Sequence, residues 1–243
     1  VAAVVSVSLC SFGMAKASEN ETGVKFAVQS DLVSSYIWRG MYQTGASFQP
    51  TLAFSIAGFS LTAWGSTDFD GYRSSEGLAN KEIDLTAAYT FGASGLTLSI
   101  ADLWWAGQGA NKYFNFKSHE TAHHFEAGLA YTFPLEKFPL SLARYTMFAG
   151  QDKDAEGNQN YSSYVELNYP FSVKRVDLTA TCGLVPYEAA QYYTSGFAVT
   201  NVALKGTTAI KITDSFSLPI FAQAIWNPRL EDAHLVFGFT LKP

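Results

Sequence analysis

Three short motifs in this chain invite a chemical reading. His119-Glu120-Thr121-Ala122-His123 matches H-E-x-x-H. On a helix that spacing sets two imidazoles on one face, where they hold zinc with the glutamate as general base. Here the match falls between the loop Asn115-Phe116-Lys117-Ser118 and a strand beginning near Ala122. In an extended chain the two histidines stand roughly 13 Å apart at ~3.3 Å per residue, too far to share one ion. Plain solvated residues are the expectation, with adventitious metal pickup by His119, Glu120, His123 and His124 as the alternative. Asp152-Lys153-Asp154-Ala155-Glu156-Gly157 resembles the start of a calcium loop. Its twelfth position is Ser163, where a bidentate glutamate is required, so it reads as a solvated acidic loop. A lipid-modifying hydrolase built on a barrel needs a serine, a histidine and an orienting polar group on the outer rim. His123 is the one histidine at such a rim, and no short motif joins it to a serine. No catalytic residue, metal or cofactor is expected.

A fourth pattern is spread along the chain. Lys25, Asp31, Arg39, Glu82, Asp84, Glu126, Glu166, Asp177, Lys205 and Lys211 all fall on the polar parity of alternating segments. Read together they are lumen-lining residues, six acidic against four basic, suited to selecting small ions or polar solutes. Glu82 and Asp84 share one face of one strand, and Lys25 or Arg39 would have to cross the lumen to neutralise them.

The elements that must carry these residues have a period of two. In 24–38, Val24, Phe26, Val28, Leu32, Tyr36 and Trp38 alternate with Lys25, Gln29 and Asp31. Such alternation marks a strand with two different environments. Twelve runs follow the pattern, near 24–39, 48–56, 59–68, 81–91, 96–105, 122–133, 140–149, 161–171, 176–184, 198–212, 216–226 and 233–241. In the seventh, Arg144 shares parity with Leu140 and Leu142, so its inward face is undecided. Short connections alternate with long ones, as in an outer-membrane up-and-down meander. No segment has ~18 consecutive apolar residues, and a 3.6-residue stripe is absent apart from one short turn near Glu188–Gln191.

Composition agrees. Charged residues are 15% and aromatics 15% of 243 residues, against about 25% charged in an ordinary soluble domain. A soluble sandwich or lipocalin-like barrel would carry more charge on its polar face. A net charge of −5 argues against nucleic acid, which needs clustered Lys and Arg. Rings near strand ends (Tyr36, Trp38, Trp104, Trp105, Tyr131, Phe133, Tyr169, Phe171 and Trp226) suit interface girdles. The apolar stretch Val1–Met14 followed by Ala15-Lys16-Ala17 reads as a signal peptide, 1–17, cut after Ala17. That leaves 18–243 as the barrel, with Cys182 unpaired. The expectation is a closed antiparallel transmembrane β-barrel of about twelve strands in a bacterial outer membrane, monomeric and surrounded by lipid. Its alternatives are a barrel enzyme and a closed structural or binding barrel.

Ser34-Ser35-Tyr36-Ile37-Trp38-Arg39-Gly40-Met41-Tyr42-Gln43 resembles the opening signature of a family of Gram-negative outer-membrane porins labelled TorF-like. That signature is followed by a proline-bearing second strand, here Gln49-Pro50. Ala63-Trp64-Gly65-Ser66-Thr67-Asp68-Phe69 resembles the family's third strand, and Glu82-Ile83-Asp84-Leu85 its acidic strand. Leu218-Pro219-Ile220-Phe221 through Asn227-Pro228 also fits. The resemblance implies an outer-membrane barrel with a pore role and no catalytic residues. Phe239 is followed by Thr240-Leu241-Lys242-Pro243, a departure from the terminal aromatic residue of such barrels.

Overall fold

The computed structural model describes residues 23–69, 71, 80–106, 112–134 and 139–242. The expected leader lies outside them. Twelve antiparallel strands among these residues close into one barrel. They are β1 (Lys25–Val33), β4 (Ser47–Ile56), β5 (Phe59–Asp68), β6 (Lys81–Thr90), β7 (Leu96–Ala106), β8 (His123–Thr132), β9 (Ser141–Gly150), β10 (Ser163–Val173), β11 (Val176–Val185), β12 (Ala198–Lys211), β13 (Ser217–Asn227) and β14 (Asp232–Leu241). The remaining two, β2 (Tyr36–Trp38) and β3 (Met41–Thr44), pair with each other as a separate two-stranded sheet and not as part of the wall. Each wall strand bonds its sequence neighbour, and β1 closes the ring against β14 through Asp31 opposite Thr240. A closed ring leaves no unpaired edge.

Parity sorts the wall as alternation requires. Phe26, Leu52, Ile100 and Leu235 point outward and are 78%, 57%, 59% and 59% exposed. A continuous apolar belt of this kind is costly in water and natural in hydrocarbon. At the short-turn end, the ring pairs Tyr89–Phe91, Tyr131–Phe133 and Tyr169–Phe171 form one girdle. Cys182 lies outward, free and exposed. No helix among the described residues is long and apolar enough to cross a membrane. The short turn expected near Glu188–Gln191 is a 3-10 turn at Ala190–Tyr192.

Several sequence expectations are corrected. The first run does not continue from 24 to 39. Strand β1 stops at Val33, and the chain leaves the wall at Ser34-Ser35 to make the β2–β3 hairpin. Tyr36, Trp38 and Trp105 therefore sit inside the barrel rather than in a girdle. In β9 the undecided face resolves, because Ser141, Ala143, Tyr145 and Met147 are buried inside while Leu142, Arg144 and Phe148 are exposed. The acidic loop is not simply solvated. Asp152 is buried and accepts hydrogen bonds from the Ser162 N–H at 2.8 Å and hydroxyl at 2.6 Å.

The core lies in the lumen, and the hairpin touches all of it. Met41 packs with Tyr145, Tyr164, Val185 and Tyr192; Ile37 packs on Val33, Ala203, Ile225 and Val236; Trp38 packs on Ala101, Leu103 and Met147. Its turn, Arg39-Gly40, has φ of 51° and 84°. Two positive φ values match a type I′ hairpin turn, whose twist suits the flanking strands.

Candidate functional site

The hairpin carries Arg39 into the barrel, where it is 3% exposed. One guanidinium nitrogen donates to Glu126 Oε2 at 2.6 Å and the other to Oε1 at 2.8 Å. The first also donates to the Tyr192 hydroxyl oxygen at 2.5 Å. The guanidinium carbon lies 4.6 Å from the Trp38 ring centre, 4.6 Å from Tyr145 and 4.8 Å from Tyr164. A planar cation with bidentate donors and π-stacking faces fits this box in a way that lysine does not. Arg39 and Tyr192 lie on segments that do not span the barrel wall. Burial works against the Arg39 charge, but Glu126, Tyr192 and Tyr145 together outweigh it and hold the guanidinium well above its ordinary pKa. Burial likewise pushes the Tyr192 hydroxyl up, against the pull of Arg39.

Neighbouring wall groups extend the network. Tyr164 donates to Glu166 Oε2 at 2.7 Å, and Asn168 donates to Oε1 at 2.8 Å. Asn201 donates to the Tyr164 oxygen, and Thr181 to Asn168. The turn is clamped from the other side, where Asn227 donates to the Gly40 carbonyl at 3.1 Å. A Cβ at Gly40 would fall 1.9 Å from the Thr200 carbonyl oxygen, so this backbone seats directly on β12. The long-loop half of the lumen is thus filled by the hairpin.

Beneath it lies a cavity of about 140 Å³. The structure places Asp31, Asp84 and Lys205 on its wall, with Arg39 and Glu126 at its roof. Glu82 is buried beside it, accepting from the Tyr36 hydroxyl at 3.2 Å. Asp31 accepts from Thr240 at 2.6 Å, and the Lys205 ammonium lies 4.3 Å from the Phe221 ring centre. Glu166 lies in the network above. Lys25, Asp177 and Lys211 are exposed at the short-turn end. There Asp177 accepts from Ser172, and Lys211 pairs with Asp214. Arg39 pairs with Glu126, not with Glu82 or Asp84. Tyr145, Tyr164 and Tyr192 were missed by the sequence reading, which ranked only charges. The first two do fall on identifiable parities, and Tyr192 carries no such signal.

The H-E-x-x-H residues part company. His119 is exposed in a turn, whereas His123 begins β8, fully buried on the outer wall. His123 Nδ1 lies 2.6 Å from Asp102 Oδ1, and Nε2 lies 2.6 Å from the Tyr113 carbonyl oxygen. A carbonyl only accepts, so Nε2 carries a proton there. This pair fastens the 112–121 loop to the wall, with the Phe116 ring tilted against the imidazole, ring centres 4.4 Å apart. No group of three metal-ligating side chains occurs among the described residues.

A family model described as a bacterial protein of unknown function, Gcw_chp, matches residues 17–211. No curated protein matches. Among solved structures, OmpF of Salmonella typhi in complex with daunomycin is 9% identical, covers 93% of this chain and 98% of its own, and superposes with a TM-score of 0.36.

Proposed function

The chain belongs to this bacterial family of unknown function, and from that premise we propose that it is an outer-membrane channel for small ions or polar solutes rather than an enzyme. The observation that carries the reading is the two-faced closed wall, with apolar side chains exposed outside and hydrogen-bonded polar side chains inside. Hydrocarbon requires every spanning N–H and C=O to pair internally, and a closed sheet does so. The TorF-like signature supports the same role. The short turns then face the periplasm, and the hairpin closes the external half. The barrel acts as a monomer with lipid around it. Planar-bilayer recording of the purified protein tests the reading, with discrete conductance steps expected. A protein recovered full-length and soluble from the periplasm overturns the membrane assignment. A second reading, a closed binding barrel, is favoured by the hairpin itself, since Met41, Tyr164 and Tyr192 are almost wholly buried where it fills the lumen. Complete absence of conductance selects it.

A further inference from the structure

The cavity beneath the hairpin has chemistry of its own. Asp84 on β6 and Trp64 on β5 are direct cross-strand partners, both facing inward. Tyr36 of the hairpin meets Trp64 edge-on, with ring centres 5.4 Å apart. The Tyr36 hydroxyl is spent on Glu82 at 3.2 Å. Asp84 Oδ1 is shielded from solvent and has no hydrogen-bond partner, and Asp84 lines the cavity together with Trp64 and Tyr36. Glu82 lies two residues away on the same face. Two described cations line the same cavity, but Arg39 is paired with Glu126 and Lys205 lies over the Phe221 ring. No described ion pair involves Glu82 or Asp84.

A buried carboxyl oxygen without a donor is satisfied by a proton shared with its neighbour Glu82 or by a positive partner, and the rings beside it favour the second. Inorganic cations prefer several oxygen ligands. Here the oxygen is joined by an indole and a phenol ring, which attract a cation through their faces and exclude water. A cavity of about 140 Å³ has room for a cation of a few heavy atoms. We propose that this chamber binds a small organic cation of the alkylammonium class, with Asp84 as its counter-ion, Glu82 adding field, and Trp64 and Tyr36 as its apolar walls. The proposal rests on the channel reading for the route by which the cation arrives, but the site itself is independent of conductance.

Isothermal titration calorimetry of the full barrel in detergent at pH 7.5, with tetramethylammonium chloride as the probe, tests it. Saturable binding is expected, with at least a tenfold loss in Asp84→Asn and in Trp64→Leu. Sodium chloride and the neutral isostere tert-butanol should not compete at equal concentration. Heat-modifiable migration on gels shows that each variant still forms a barrel, and Trp64→Phe, which keeps a ring, should bind more tightly than Trp64→Leu. No saturable binding, binding unchanged in both variants, or equal binding of tert-butanol each overturns the site. Conductance recorded on the same sample separates the two readings. A conducting barrel without binding removes the site alone, and a binding barrel without conductance upholds the site while removing the channel.

Discussion

Replacing Arg39 with alanine should unseat the hairpin and open the barrel. The pair with Glu126 is almost wholly buried, at 2% side-chain exposure on each side. Removing one partner of such a pair leaves an uncompensated charge, at a cost of about 3–5 kcal/mol. Three ring contacts with the guanidinium disappear as well, each worth up to about 2 kcal/mol when desolvated. Taking the ion pair alone, the ratio of undocked to docked hairpin rises roughly 10²- to 10³-fold or more. Single-channel recording should therefore show small conductance steps in the wild type and frequent larger steps in Arg39→Ala. Arg39→Lys should fall between, since it keeps the charge and loses the fork. The double variant Arg39→Met with Glu126→Leu removes both charges and should restore closure, because the penalty arises from the orphaned carboxylate and not from a missing attraction. An Arg39→Ala barrel that conducts like wild type, or a double variant as open as the single, refutes this reasoning.

Other outcomes follow from the same geometry. Gly40→Ala should mimic Arg39→Ala in conductance, because its methyl group would overlap the Thr200 carbonyl oxygen at 1.9 Å on a backbone with φ of +84°. In a salt gradient the open barrel should favour cations, since Asp31, Glu82, Asp84, Glu126 and Glu166 face only Arg39 and Lys205 among the described inward charges above the short-turn mouth. Glu82→Gln with Asp84→Asn should bring the reversal potential toward zero, and an anion-selective wild type would show the inward assignment to be misread. Asp102→Ala should free the 112–121 loop at a cost of about 1–3 kcal/mol. Trypsin should then cut faster at Lys117, which is exposed, and unchanged cleavage would mean that the His123 contact does not hold the loop.

The wall was legible because a strand in a barrel has two environments and nothing else. Phe125, Ala127, Leu129 and Tyr131 against Glu126, Gly128 and Ala130 is a physical statement about an apolar outer face on one side and the lumen on the other. Parity gave no warning where the chain left the wall. Tyr36, Trp38 and Arg39 continue the alternation of β1 without interruption, and the break at Ser34-Ser35 carries no proline or glycine. What sets the hairpin is Arg39-Gly40, a two-residue turn that needs two positive φ values. Only its second residue accepts that conformation freely, while arginine there stores strain on the order of 1–3 kcal/mol. That cost is offset only by the box that receives Arg39, and the box is assembled from strands more than eighty residues distant.

The receiving wall is shaped for this insertion. Tyr164 and Tyr145 are direct cross-strand partners, both fully inside, and would crowd any ordinary neighbours. Gly183 stands on β11 where a Cβ would lie 2.0 Å from the Tyr164 hydroxyl oxygen, and Gly128 stands on β8 where one would lie 3.1 Å from the Tyr145 ring. Each ring is thus laid across a wall position with no side chain, flat enough for Arg39 to lie over it. Glycine in a strand interior weakens a sheet and marks close approach, so its presence on the inward parity beside two tyrosines is a cost accepted for the ring placement. Filling Gly183 with alanine should lift Tyr164, break its hydrogen bond to Glu166 and loosen the guanidinium box while leaving the apolar outer face untouched. The barrel would then keep its heat-modifiable migration and gain conductance, whereas loss of the barrel itself would place Gly183 in the wall's own stability and not in the seating of the hairpin.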